Sequence, residues 1–126
     1  MRVRRLSREE ELKEILNGNM EVLENKANYF GRMLASEGLE RQVRKVFETV
    51  LKSRNLELVN PRIKYQAAKE KKNELMTFCG YVSNLVDHIR REENEERLKS
   101  YRTHLEMFLE AVVAYTRYHK EMGREY

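Results

Sequence analysis

"LERQVRKVFETVLK" (Leu39–Lys52) decides how this chain reads. Val43, Val46, Phe47, Val50 and Leu51 fall at i, i+3, i+4, i+7 and i+8, which is one apolar face of an α-helix. Arg41, Arg44, Lys45 and Lys52 fall mainly outside that stripe.

The same period recurs on both sides. Ser7-Arg8-Glu9-Glu10 has capping-box spacing, and a helix then runs through Leu12, Ile15 and Leu16 to the stop signal Asn17-Gly18-Asn19. A second helix is predicted from about Met20 to Ala35, with Leu23, Ala27, Phe30 and Leu34 in one stripe and Ser36-Glu37-Gly38 as its end. After a short connection over Asn55 to Val59, Asn60 reads as an N-cap and Pro61 as the first helical residue, where a missing amide costs nothing. Ile63, Ala67 and Tyr65 are its expected apolar members. A fifth helix carries Leu75, Phe78, Cys79, Val82, Leu85, Val86 and Ile89, then meets the polar turn Arg90 to Glu96. A long last helix carries Leu98, Tyr101, Leu105, Phe108, Leu109, Val112 and Tyr115. It is apolar nearly all round from Ala111 to Tyr115, a pattern often covered by another chain. The fold class is all-α: a compact bundle of five to six helices, one domain over residues 1–126, without internal repeats or long linkers.

Composition narrows the function. Charged residues make up 37% and apolar ones 40%, so the core must come from patterned helices. Five glycines and one proline are too few for an all-β protein rich in tight turns. No apolar run approaches 18 residues, so no membrane span is expected. Met1-Arg2-Val3-Arg4-Arg5 is basic but lacks a following apolar region, so it does not read as a secretory signal. A single cysteine, Cys79, excludes an internal disulfide and reads as a small buried hydrophobe. A cytoplasmic protein is expected.

Net charge is +4, but residues 41–72 hold 10 basic and 3 acidic groups, a net of +7. That clustering is the footprint of an anion-binding face. The bland alternative is a solvated helix face. Phosphodiester backbones are held by Arg and Lys spread along a surface, and free amides at Asn60-Pro61-Arg62 would add to the attraction. Tyr65 is expected in the core with its hydroxyl at the surface; the alternative is stacking on a base.

Catalytic signals are weak. His88, His104 and His119 lie far apart without a ligand spacing, and surface histidines are the ordinary reading. No phosphate loop or nucleophile elbow is present. No cofactor or metal is expected.

Three segments, taken together, resemble the small subunit of Csm-type (type III-A) CRISPR effector complexes. Gly38-Leu39 followed by Gln42-Val43-Arg44-Lys45-Val46-Phe47 is similar to that family's Q-[IL]-R-K-[FV]-[YF] run. Pro61 followed by Tyr65-Gln66-Ala67-Ala68-Lys69 resembles its Y-A-A-G-R motif, with Ala68 in place of glycine and Lys69 in place of arginine. "MFLEAVVAYTRYHKE" (Met107–Glu121) resembles its C-terminal F-F-E-A-[IV]-[VL]-A-Y-H-K, with His119-Lys120 slightly displaced. Lysine at 69 keeps the charge without the planar fork that grips a phosphate bidentately; Lys71 and Lys72 add charge beside it.

The resemblance implies a small all-helical, non-enzymatic subunit, stacked in several copies along a ribonucleoprotein filament and helping to hold guide RNA and target RNA. In the family's complexes target RNA is cut by a backbone subunit, and DNA cutting and cyclic oligoadenylate synthesis belong to the large subunit. The expected partners are CRISPR guide RNA, target RNA and the other Csm-complex subunits, with self-association through the C-terminal helix. The expected RNA-binding residues are Arg44, Lys45, Lys52, Arg54, Arg62, Lys64 and Lys69; Arg44, Lys45, Arg62 and Lys69 lead because they lie in or beside the matched motifs. The competing reading is an assembly protein that docks partners without touching RNA.

Overall fold

The computed structural model describes residues 5–124. The basic start Met1 to Arg4, which does not read as a secretory signal, lies outside the described residues. Six helices follow in order: α1 (Arg8–Leu16), α2 (Met20–Ser36), α3 (Glu40–Lys52), α4 (Val59–Glu70), α5 (Asn73–Arg91) and α6 (Glu95–Arg124). No strand occurs among the described residues, so the all-α expectation holds.

The capping box forms as the sequence predicts. The Ser7 hydroxyl accepts from the Glu10 amide at 3.1 Å, and the Glu10 carboxylate accepts from the Ser7 amide at 3.2 Å. At the other end of α1, Gly18 takes φ +88°, a left-handed conformation that glycine adopts without strain. His104 of α6 lies against it, and His104 Nδ1–H donates to the Leu16 carbonyl at 2.6 Å. One carbonyl left over at the end of α1 is therefore satisfied from across the bundle.

α6 has 30 residues, about 45 Å of helix at 1.5 Å per residue, and its main partner is α2. Leu23, Ala27, Phe30 and Leu34 of α2 are buried as expected, and so is Gly31. A Cβ at Gly31 would stand 2.5 Å from Tyr115 Cβ and 2.8 Å from the Tyr115 carbonyl carbon. Only glycine lets the two backbones approach this far. Next to that contact, the buried Thr116 hydroxyl donates to the Val112 carbonyl at 2.6 Å, which removes the cost of burying it. Part of the apolar Ala111–Tyr115 segment is thus spent inside this chain: Val112 is fully buried and Tyr115 half-buried, while Ala114 is exposed.

All seven expected α5 positions are buried. Phe30, Phe78, Tyr81 and Phe108 form an edge-on and tilted aromatic cluster with ring centroids 5.1–6.4 Å apart. The Tyr81 hydroxyl reaches out of it to donate to Glu11 at 2.5 Å. Cys79 is buried, and burial pushes its thiol up to about 12.

Three local expectations need correction. The α3 stripe is narrower than its pattern: Val43, Val46 and Val50 are buried, Phe47 is half-buried and Leu51 is exposed. Asn60 does not cap α4. The helix begins two residues earlier than expected, at Val59, behind Leu58 in a left-handed conformation (φ 59°). Val59, Ile63 and Ala67 form a buried i, i+4, i+8 stripe that sets the start, and the Asn60 side chain instead donates to Asp87 of α5 at 2.8 Å. Tyr65 is not a core residue; it is 69% exposed.

Two glycine substitutions test the α2–α6 contact. Gly31→Ala gains roughly 1 kcal/mol of helix propensity, but its methyl meets backbone that no rotamer can move aside. Net destabilisation of about 1–3 kcal/mol is expected in urea unfolding. Gly80→Ala on α5 meets nothing within 4 Å and should stabilise by up to about 1 kcal/mol.

Candidate nucleic-acid interface

α3 is held at both ends by α6. At its start, the nearly buried Glu40 carboxylate accepts from Lys120 Nζ at 2.9 Å, from Arg117 Nη1 at 3.2 Å and from Arg44 Nη2 at 3.0 Å. The Lys120 hydrogen bond, more than the nearby Arg117 and the two charges, holds this carboxyl below its usual range against the opposing effect of burial. At the far end, Arg102 Nη2 donates to the carbonyls of Val50 and Ser53, both at 2.8 Å, and its Nε pairs with Glu106. The guanidinium fork serves two carbonyls at the end of α3, of which that of Val50 also accepts from the Ser53 amide at 3.2 Å.

So anchored, α3 faces α4 across a groove of about 480 Å³. Its rim carries Lys45 from α3 and Arg62 and Lys69 from α4, with Glu70 the single acid. Tyr65, Leu58 and Pro61 supply its apolar surface. Across the floor, Gln66 Nε2 donates to Thr49 Oγ1 at 3.1 Å, and the Thr49 hydroxyl donates to the Lys45 carbonyl at 2.8 Å.

The seven residues singled out from sequence therefore separate. Lys45, Arg62 and Lys69 meet in the groove, one from α3 and two from α4, with no ion pair among the described residues. Arg44 turns to Glu40 instead, although its side chain stays 55% exposed. Arg54 lines a second cleft with Arg90, Lys99 and Arg102. Lys52 and Lys64 are exposed and line neither. Lys71 takes a left-handed conformation at the end of α4, and Lys72 pairs with Glu37 at 3.6 Å, so of the three neighbouring lysines only Lys69 lines the groove. The amide reading of the α4 start weakens too. Pro61 has no N–H, and the Val59 amide reaches the Leu56 carbonyl at 3.5 Å.

Sequence reasoning missed Gln42, Thr49 and Gln66. Their signal was a polar residue beside each buried stripe: Gln42 next to Val43, Thr49 next to Val50 and Gln66 next to Ala67. Two of the histidines are half-buried with partners rather than free at the surface. His104 caps α1, and His119 Nε2–H donates to Asn28 Oδ1 at 2.5 Å; burial lowers the His119 pKa. Among the described residues, no three His, Cys, Asp or Glu side chains are grouped to hold a metal ion, and no helix is long and apolar enough to cross a membrane.

A protein-family model described as Csm2 Type III-A matches residues 17–122, a span that takes in both walls of the groove and nearly all of α6. No curated protein and no solved structure matches the chain.

The Glu40 cluster has a pH signature. Its carboxyl titrates lower in the folded chain than in the unfolded one, so its contribution is present above the ordinary value of 4.5 and is lost as pH falls through the folded value. Glu40→Gln should cost about 1–2 kcal/mol at pH 7, since the three cations stay partly solvated. The difference from wild type in thermal melts should shrink toward pH 3.

Proposed function

The chain belongs to the Csm2 Type III-A family, and on that premise we propose that it is a single-domain, non-catalytic RNA-binding subunit whose α3–α4 groove holds an RNA backbone. Family membership makes it a subunit of a type III-A CRISPR effector complex of the Csm type, in association with the other subunits of that complex. The strand it holds is guide or target RNA, and several copies stack along the assembly.

One observation carries this reading. Lys45, Arg62 and Lys69 come from two helices to one groove and are not neutralised by carboxylates of their own, and the exposed ring of Tyr65 lines the same groove. Three cations lining one groove suit the phosphates of a strand, and such contacts do not depend on base sequence. An exposed tyrosine beside them offers a stacking platform for a single strand. Arg44, Lys52, Arg54 and Lys64 widen the positive field around the groove without entering it.

A second reading, assembly without direct RNA contact, draws on α6. Met107, Ala114 and Tyr118 are all exposed and sit seven and eleven residues along one face. This apolar stripe is suited to another protein surface, a second copy included.

The two readings separate experimentally. The triple variant Lys45→Ala/Arg62→Ala/Lys69→Ala should weaken binding to mixed-sequence single-stranded RNA uniformly. It should also flatten the slope of log K against log salt by about 2, at roughly 0.7 for each phosphate that is no longer neutralised. An unchanged slope in the folded variant would sink the RNA reading. Met107→Glu/Tyr118→Glu should leave RNA affinity intact and abolish self-association in sedimentation; wild type that sediments as a monomer at all concentrations removes self-association through this stripe.

A further inference from the structure

We propose that the RNA strand held in the α3–α4 groove continues across the 53–58 connection into a second cleft, where Arg54, Arg90 and Lys99 take its further phosphates. This rests on the RNA-binding reading above and extends it, since it gives the strand a path and a longer footprint, still without regard to base sequence.

The second cleft, of about 380 Å³, lies where the chain leaving α3, the end of α5 and the start of α6 meet. Arg54, Arg90 and Lys99 line it from those three places. All three are exposed, and none has an ion pair among the described residues. Arg102 lines the cleft too, but its charge is engaged with Glu106. Glu92 is the single acid of the lining, and Arg97 lies 3.8 Å from it. The cleft therefore repeats the electrostatic make-up of the groove: three unpaired cations from more than one element, and one acid.

The two sites share a wall. Leu58 lines the groove, while Arg54, Asn55 and Leu56 line the cleft. Leu56 and Leu58 are two steps apart along the chain, at most about 7 Å. A strand leaving the groove over Leu58 has only that width of chain to cross.

That wall is held in place. Leu56 and Leu58 both adopt left-handed backbone, φ 60° and 59°, which bulky side chains take only under constraint. Leu56 is buried, and Arg102 donates to the carbonyls of Val50, Ser53 and Arg54 at 2.8, 2.8 and 3.4 Å. A fixed wall keeps the two sets of cations at one spacing, so a strand bound by the first set meets the second at high effective concentration. On the far side, Glu93, Glu95 and Glu96 are exposed at the turn between α5 and α6. They do not line the cleft, and their charge opposes a polyanion going farther, so the track ends there.

Strand length separates this path from a general attraction. Fluorescence anisotropy of the whole chain with mixed-sequence single-stranded RNA of about 4 and about 12 nucleotides, within ordinary single-strand site sizes, measures affinity and salt slope. Arg54→Ala/Arg90→Ala/Lys99→Ala should weaken binding of the longer strand about tenfold or more, the avidity lost with the second site. It should also flatten that strand's slope by about 2, at roughly 0.7 for each phosphate no longer met. The shorter strand has too few phosphates to meet both sets of cations, and should bind the variant within about twofold of wild type. Lysine reactivity in wild type serves if the variant does not fold. In the equimolar complex with the longer strand, Lys99 should be shielded from an amine-reactive label together with Lys45 and Lys69.

Equal weakening of both strands makes the three cations a general field and overturns the path. So does a variant that binds both strands as wild type does, or a Lys99 that stays reactive. All three outcomes leave the RNA-binding reading standing, whereas failure of wild type to bind either strand overturns both. A variant that keeps its RNA affinity but no longer joins the other complex subunits makes the cleft a protein-docking face, and the path fails.

Discussion

The closest backbone approach at a glycine in this molecule, Gly31 of α2 against Tyr115 and Thr116 of α6, is the constraint on which the rest depends. With no side chain between them, the two helices lie in van der Waals contact along their main interface, and the line of α6 is set. Everything that α6 does elsewhere follows from that line. Arg102 and Arg117 lie 15 residues apart, about 22 Å along the helix. Glu40 and Val50, the groups they meet on α3, lie 10 residues apart, about 15 Å. Long side chains cover the difference, and α3 is pinned antiparallel to α6 at both ends.

This pinning explains how the positive charge is divided. Ten basic residues between positions 41 and 72 look alike in sequence, but their surroundings do not. Arg44 helps neutralise Glu40 at the start of α3, and Lys72 pairs with Glu37. Pairs with such exposed partners add little stability one by one, yet each takes a cation out of the set available to a ligand. Lys45, Arg62 and Lys69 keep their charge for the groove. The residues that position the groove, Glu40 and Arg102, are thus different from those that line it. Rigid support from behind is what lets exposed side chains hold a fixed arrangement.

How much of this could be read from sequence follows from which forces are local. Helical periodicity reports burial, so Val43, Val46 and Val50, the α2 stripe and all seven α5 positions came out correctly. The capping box at Ser7 is equally local, since both partners lie within four residues. The errors fall where a distant residue intervenes. Asn60 had a helix-capping neighbourhood, but Asp87, 27 positions away, takes its amide, and buried Val59 draws the helix start back past it. Tyr65 sits beside Ile63 and Ala67 in sequence and belongs to the other face of α4 in space. The Glu40 cluster that Arg44 joins was equally out of reach, because Arg117 and Lys120 come more than 70 residues later. The groove itself had no local signature: its charges were visible, but its floor of Gln42, Thr49 and Gln66 exists only when α3 meets α4.

That same dependence argues for the groove as a unit. Lys45 is tied to Gln66 through Thr49, whose hydroxyl donates to the Lys45 carbonyl while accepting from the Gln66 amide. One hydrogen-bond chain therefore crosses from the backbone of α3 that carries Lys45 to the Gln66 side chain of α4. The charge of Lys45, Arg62 and Lys69, set on both walls of that unit, is the kind of field that attracts a polyanion from a distance and without regard to sequence.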